Sequence, residues 1–437
     1  MPVLLLFTEK TSPRLDYICK LIFSTHLGLD YSITIDREYF LTYKGPKILY
    51  GKEADSCKIH IAADNFIFQQ GIEKQQIETC LYKGINVPFS SRGNPFPFDL
   101  FSAIFYLVSR YEEYLPFEQN QYGQFKATDS FAFKAGFLQI PVVDIWILDL
   151  KDALLQQYPN VLFKENKMKT IFTYDIDVAY AYLGRSLKIT LARFLYELAC
   201  LQIQSLKERW LVLRKRKKDP FDTYDFILEQ KQKNKHDLIF FFLVGANNRY
   251  NRNIDPSKTV LQRLIKKLSK TEIIGIHPSY YTSTDCNLLN SEKQILEELC
   301  NSDIAISRQH YLRLSLPVTY QNLIENNITQ DYTMGFAELP GFRASTSIPF
   351  YFYDVEKEEA TSLLIHPVTF MEGTFIEDMK LSTEATFEMM KQFIDEVKKV
   401  NGHFIPVWHN HSLSNQGQWA GLKEVHDKIA LYAKQAL

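Results

Sequence analysis

Ile171-Phe172-Thr173-Tyr174-Asp175-Ile176-Asp177 reads as a buried strand that ends in two carboxylates. Parallel α/β folds place their chemistry at the carboxyl ends of their strands. Two acids side by side in a cleft coexist only with a cation or with a shared proton. The same pattern, an apolar run followed by Asp, His or Arg, recurs along the rest of the chain. That recurrence points to a metal-dependent enzyme.

Working outward, apolar β-rich runs fall at 171–174, 238–244, 273–276, 304–307, 328–333, 362–365 and 404–408. Helical spacing fills several of the gaps: Leu261, Leu264, Ile265 and Leu268 share one face, 291–299 opens on a serine, and 387–400 follows Ser382-Thr383-Glu384. Seven strand candidates alternating with helices predict an α/β architecture, a parallel β/α barrel of seven or eight units over residues 164–437. A smaller α+β domain over residues 1–163 precedes it. There, short strand-like runs lie at 3–7, 32–35, 47–50 and 58–62, with helices expected at 13–23 and 98–114, the second bracketed by Pro95, Pro97 and Pro116. The charged stretch Lys164-Glu165-Asn166-Lys167 marks the boundary.

Composition narrows the function. A 437-residue chain that is 46% hydrophobic can bury a large core, and 50 basic residues against 51 acidic ones make no electrostatic case for nucleic acid. The six cysteines are scattered with no C-x-x-C pair, so they read as reduced thiols. Met1-Pro2-Val3-Leu4-Leu5-Leu6-Phe7 lacks a basic region and reads as a first strand, not a secretory signal. Residues 187–206 contain Lys188, Arg193 and Glu197, which argues against a transmembrane helix. A cytoplasmic location is the plain expectation.

The strand ends carry a coherent set of reactive groups. In order they are Asp175 and Asp177; Asn247, Asn248 and Arg249; His277; Arg308 and His310; Asp331; His366; then His409 and His411. His236 and His403 precede their strands and belong to the opposite face. Each has a plainer reading: Asp-x-Asp as a turn or cap, His277-Pro278 and His366-Pro367 as packed imidazoles, Arg308 as an ion-pair partner. The combination is harder to set aside than its parts.

These residues resemble the polysaccharide deacetylase (NodB-type carbohydrate esterase) superfamily over residues 165–437, which implies a distorted seven-stranded parallel β/α barrel. Thr173-Tyr174-Asp175-Ile176-Asp177 is similar to its first motif, which implies a general base at Asp175 and a metal ligand at Asp177. Gly275-Ile276-His277-Pro278-Ser279-Tyr280-Tyr281 is similar to the H-[ST]-x-x-H motif, with His277 as the first ligand but Tyr281 where the second histidine belongs. Ser307-Arg308-Gln309-His310-Tyr311 implies that Arg308 orients the base, and Pro406-Val407-Trp408-His409 makes His409 the catalytic acid. Asp331 and Gly341-Phe342-Arg343 fall where a fourth motif would lie and match it poorly. The first 160 residues, with Ser109-Arg110-Tyr111-Glu112-Glu113-Tyr114-Leu115-Pro116, resemble an uncharacterised domain found ahead of such barrels in bacterial polysaccharide loci.

The resemblance implies hydrolysis of an N-acetyl or O-acetyl group on a sugar, acting on carbon–nitrogen bonds in the amide case. It implies zinc or another divalent cation held by Asp177, His277 and a replacement ligand: His310 first, His366 second, Tyr281 or water third. The cation would lower the pKa of its water, and a backbone N–H would help to stabilise the oxyanion. One rival is a non-catalytic carbohydrate-binding relative with a decayed metal site, its sugar held by Tyr280, Tyr281, Tyr311, Tyr332, Phe342 and Trp408. Another is a different amide or glycosidic hydrolysis on a related barrel. Finally, 187–218 is amphipathic and ends in Arg214-Lys215-Arg216-Lys217-Lys218: a long helix with a solvated basic end, or a contact with an anionic membrane or lipid-linked glycan.

Overall fold

The computed structural model describes residues 3–52 and 57–437; Met1 and Pro2, at the start of the apolar opening, lie outside them. Strands β1 (Leu4–Thr8), β2 (Tyr31–Thr34), β3 (Lys47–Gly51) and β4 (His60–Ala62) form a parallel sheet in the order β2-β1-β3-β4. The run in β1 is continuously apolar because both faces are covered: Leu4 and Leu6 enter the main core, while Leu5 and Phe7 pack with Phe40 and Leu49. Ser12 caps the helix Pro13–Cys19. The helix Leu100–Val108 is buried on every side and capped by Asp99, whose carboxylate also accepts the Tyr50 hydroxyl at 2.8 Å. It stops short of Tyr114 because Arg110 turns left-handed (φ 54°). An antiparallel pair, β5 (Thr79–Tyr82) and β6 (Ile85–Pro88), and a helix Val142–Gln157 complete this part.

The rest of the chain contributes β7 (Lys169–Ile176), β8 (Asp237–Phe242), β9 (Ile273–Ile276), β10 (Ile306–Ser307), β11 (Gln330–Asp331), β12 (Phe350–Asp354), β13 (Glu359–Ile365), β14 (Phe370–Met371), β15 (His403–Phe404) and β16 (Pro406–His409). They form one mixed sheet in the order β12-β13-β11-β10-β9-β8-β7-β16-β14, with β15 also on β7. All ladders are parallel except β12–β13. The seven-strand expectation is therefore corrected: β14 and the antiparallel β12 are additional, and no ladder closes β14 onto the far edge among the described residues.

Strand alternation sorts the side chains. Phe172, Tyr174 and Ile176 join the outer core under the helices, whereas Ile171 packs inside with Ile239, Phe241, Ile405 and Val407. Asp175 and Asp177 share the parity of Ile171 and so point inward. His409 follows Ile405 and Val407, His277 follows Gly275, and Arg308 follows Ile306. Gly275 makes room inside: a Cβ there would lie 2.6 Å from the Phe241 ring.

Helices Thr259–Leu268, Cys286–Cys300 and Thr383–Lys399 cover the outer face where helical spacing placed them. The stretch 187–218 is not one long helix. It breaks into Leu187–Ala199 and Ile203–Leu213, with Leu201 left-handed (φ 54°) between them. Among the described residues no helix is long and apolar enough to cross a membrane.

The two parts of the chain share buried charge. Glu113 accepts from Arg110 Nε at 2.7 Å and from Arg343 Nε at 2.9 Å and Nη2 at 2.6 Å, all without exposure to solvent beyond a few per cent. Arg14 Nε donates to Glu358 at 3.0 Å, and Asp144 accepts the Ser347 amide at 2.7 Å. Burial opposes ionisation of Glu113, but Arg343 and Arg110 outweigh it and hold its carboxyl below the ordinary range. Glu113→Ala should cost about 3–5 kcal/mol in a urea unfolding titration, because two guanidinium groups lose their buried partner. Glu118→Ala, which removes the exposed pair with Lys126, should cost under about 1 kcal/mol.

Candidate functional site

Three donor groups meet at the carboxyl end of the sheet. His277 Nε2 lies 3.1 Å from Asp177 Oδ1, and His310 Nε2 lies 3.7 Å from Asp177 Oδ2. One ligand atom from each of the three falls within 4.8 Å of the others. The imidazoles are oriented from behind. His277 Nδ1 donates to the Arg308 carbonyl at 2.6 Å, and His310 Nδ1 contacts Asn251 Oδ1 at 3.1 Å. A carbonyl only accepts, so Nδ1 of His277 carries a proton and Nε2 is the atom turned toward Asp177. Asn251 Oδ1 also accepts the Tyr280 amide, which gives His310 the same tautomer. Asp177 Oδ1 is buried without a hydrogen-bond partner. A buried carboxylate oxygen facing two imidazole Nε2 atoms fits a divalent cation, and the His/His/carboxylate set suits zinc.

Asp175 stands beside this trio, its Oδ2 3.8 Å from His277 Nε2. Arg308 Nη1 donates to Asp175 Oδ1 at 2.9 Å, while its Nε donates to the Tyr332 carbonyl at 3.0 Å. The guanidinium is fully buried and lies 4.5 Å over the Phe241 ring. On the other side, His409 Nε2 is 3.6 Å from Asp177 Oδ2. Its Nδ1 and backbone N–H donate to Glu372 Oε1 at 2.9 and 2.7 Å.

These contacts set the protonation states. Burial opposes ionisation of Asp177, but His310, His277 and His409 together hold its carboxyl well below the usual range. Burial lowers His310 despite Asp177, whereas Asp175 and Asp177 overcome burial and raise His277. Burial also opposes the charge on His409, yet the Glu372 carboxylate dominates and lifts it to about 10. Burial and the neighbouring His409 push His411 down to about 4. His409 is thus held as a cation beside two imidazoles of opposite tendency, His277 favouring its proton and His310 shedding it.

The site opens into a cavity of about 830 Å³ walled by both parts of the chain. The N-terminal third supplies Gln121, Tyr122, Lys126 and Thr128 to its lining. The Tyr122 ring stacks on Tyr311 at 4.8 Å, and its carbonyl accepts from Tyr280 Oη and Arg313 Nε, each at 3.0 Å. Gln124 Nε2 donates to the Tyr311 carbonyl at 2.9 Å, and Glu338 accepts the Ala127 amide at 2.6 Å.

Asp175, Asp177, His277, Arg308, His310 and His409 therefore converge, and His310 is the third group beside Asp177 and His277. Other strand-end residues do not join them. Asn247, Asn248 and Arg249 sit on an exposed loop. His366 shares the inward parity but folds back onto Gln330, at the start of β11, and stacks on Tyr332 at 4.2 Å. Tyr281 is turned outward, 47% exposed. Asp331 has the opposite parity and binds Ser307 and Thr333 instead. Arg343 serves Glu113. Of the expected aromatic rim only Tyr311 lines the cavity, joined by Tyr122 and Trp419, while Trp408 and Phe342 are buried in the outer core. Glu372, Asn251 and Tyr122 escaped the reading of the sequence. Phe370-Met371-Glu372 does repeat the pattern of strand then acid, but over two residues.

A family of unknown function, DUF7033, matches residues 4–159. Among solved structures, similarity extends to proteins assigned as polysaccharide deacetylases from Mycobacterium smegmatis and Pseudomonas aeruginosa. The first is 13% identical over 61% of this chain and 85% of that one, with a TM-score of 0.40. The second is 12% identical over 62% and 85%, with a TM-score of 0.37. A CE4 family pseudoenzyme from Bacillus anthracis is 11% identical over 61% and 62%, with a TM-score of 0.28. No curated protein matches the chain.

Purified protein supplied with zinc should hold about one ion per chain by elemental analysis, and Asp177→Ala or His310→Ala should abolish stoichiometric loading. Asn251→Ala should weaken zinc affinity by about 10- to 100-fold, since it removes only the group that orients His310.

Proposed function

We propose that the chain is a metal-dependent hydrolase that removes an acetyl group from an N-acetylated or O-acetylated sugar. The observation that carries this reading is the asymmetry around Asp177. A metal-type trio is flanked on one side by a carboxylate locked to a buried arginine, and on the other by an imidazolium locked to a buried glutamate. A divalent cation bound by Asp177, His277 and His310 would polarise the acyl oxygen and make water a nucleophile near neutral pH. Asp175 accepts the proton of that water. Arg308 fixes the direction of Asp175 through its 2.9 Å hydrogen bond, so the base spends no reorganisation when the substrate arrives. His409, kept protonated by Glu372, donates to the leaving nitrogen or oxygen. The cleft lining of Tyr122, Tyr311 and Trp419 with interspersed Lys126, Glu338 and Asp378 suits a polar ligand with flat apolar faces, as a sugar ring has.

Acetylated oligosaccharides incubated with zinc-loaded protein should lose acetyl groups by mass, with sugar linkages intact. Asp175→Asn should retain zinc and lower kcat by about 10²- to 10⁴-fold. Zinc-loaded protein that binds glycans without turnover would instead identify a binding protein. The acid form of His409 is the active one and persists below about pH 10, so the rate should fall as pH rises through that value. Glu372→Gln leaves only Asp177 and Asp175 to oppose burial and should move this alkaline limb to lower pH by more than about one unit. Tyr122→Ala should raise KM several-fold with zinc content unchanged, because that ring only walls the cleft.

A further inference from the structure

The helix pair between β7 and β8 leaves an apolar stripe without a partner. Leu187, Leu191, Leu195 and Leu198 recur at helical spacing on one face of Leu187–Ala199, and each is exposed, Leu187 at 87% and Leu191 at 59%. Leu201 and Ile203 extend the surface across the turn at 79% and 59%. Between the two helices an apolar groove of about 360 Å³ runs past Leu191, Phe194, Trp210 and Leu213. The only buried residue of the first helix is Glu197, which is turned inward to Arg209 at 2.9 Å. The chain has therefore satisfied the polar side of the pair internally and left the apolar side outward, the reverse of an ordinary surface hairpin.

Charge specifies what covers this surface. Residues 187–218 hold nine basic residues and two acidic ones, in a chain whose overall charge is −1. Both acids are engaged, Glu197 by Arg209 and Glu208 by Lys217, and Lys218 pairs with Asp225 at 2.7 Å, which leaves Arg214, Lys215 and Arg216 to carry the positive charge of the collar. Arg214 and Arg216 flank the half-exposed Trp210, each 5.6 Å from its ring, at the base of the run ending in Lys218. Leucines outward, an indole at the edge and a basic collar form the pattern that lies in the interfacial layer of a charged bilayer. A second copy of the chain would bring two such collars together and repel.

We propose that the helix pair spanning 187–213, with its basic collar 214–218, docks this protein onto the surface of an anionic phospholipid membrane. The pair belongs to the loop after β7, on the same side of the sheet as the cleft. Gln416 donates to Glu208 at 3.1 Å from the segment that carries Trp419 into the cavity wall. Docking therefore holds the cleft rim beside the lipid. The proposal is independent of the hydrolytic reading, and its test reads binding, not turnover.

The full chain should sediment with phosphatidylcholine vesicles containing phosphatidylglycerol. It should bind at least about tenfold more weakly to phosphatidylcholine alone, or when ionic strength is raised to about 0.5 M. Leu191→Asp with Leu195→Asp should abolish sedimentation, and Lys215→Glu with Arg216→Glu should reduce it by about tenfold or more, each with the circular-dichroism spectrum and urea unfolding midpoint unchanged as the check on folding. Wild-type protein that stays in the supernatant with anionic vesicles overturns the proposal. So do variants that bind like wild type, or a wild-type dimer in sedimentation velocity that the leucine substitutions dissolve.

Discussion

A carboxylate buried at the mouth of a parallel sheet cannot stay charged without compensation, and at Asp177 that compensation organises the whole site. Three imidazoles from three different strand ends face it: His277, His310 and His409. They are not equivalent. His277 and His310 turn Nε2 toward it because their far nitrogens are already committed, while His409 is a cation because Glu372 lies behind it. One buried anion thus sits between a place for a metal and a place for a proton. Replacing Asn251 or Glu372 changes which of those roles its imidazole can play.

That arrangement requires the strand ends to be held in register, and the N-terminal third contributes to this directly. Glu113 joins Arg110 of its own segment to Arg343, which in turn donates to the Gly335 carbonyl. The Ser109-Arg110-Tyr111-Glu112-Glu113 stretch is thereby explained as an internal charge cluster and not as a ligand site. The same third of the chain closes one side of the cleft through Tyr122 and Gln124. Hydrophobic side chains from both parts belong to one continuous core, so the change of rhythm near residue 164 marks a change of architecture more than a gap in packing.

Legibility followed strand length. Where a strand is long, as in β7, period-two burial fixes the face of every side chain, and Asp175 and Asp177 could be placed from sequence. Where it is two residues long, as in β11 and β14, parity has too little run to be seen. Asp331 was accordingly expected at the mouth although it faces outward, and Glu372 was overlooked although it holds His409. The aromatic run Phe350-Tyr351-Phe352-Tyr353 did carry a strand signal, but its antiparallel pairing breaks the β/α alternation that guided the reading. Asn251 and Tyr122 lie in loops, where tertiary contacts alone decide which side chain reaches the site. The helix pair at 187–213 looked like one helix because only Leu201, an ordinary helix former, interrupts it.

Tyr281 occupies the position where the resemblance calls for a second histidine, and it is turned outward while His310 stands beside Asp177. His310 comes from the neighbouring strand end, two residues beyond Arg308, where Tyr311 and Leu312 both take left-handed backbone angles (φ 61° and 50°). Arg308 links these groups. Its carbonyl fixes the proton on His277, its guanidinium grips Asp175, and the turn that follows it delivers His310. A single residue therefore couples both imidazoles of the trio to the neighbouring carboxylate. Lysine at that position would keep the charge but not the fork that spans Asp175 and the Tyr332 carbonyl, so the direction of Asp175 depends on the guanidinium shape and not on its charge alone.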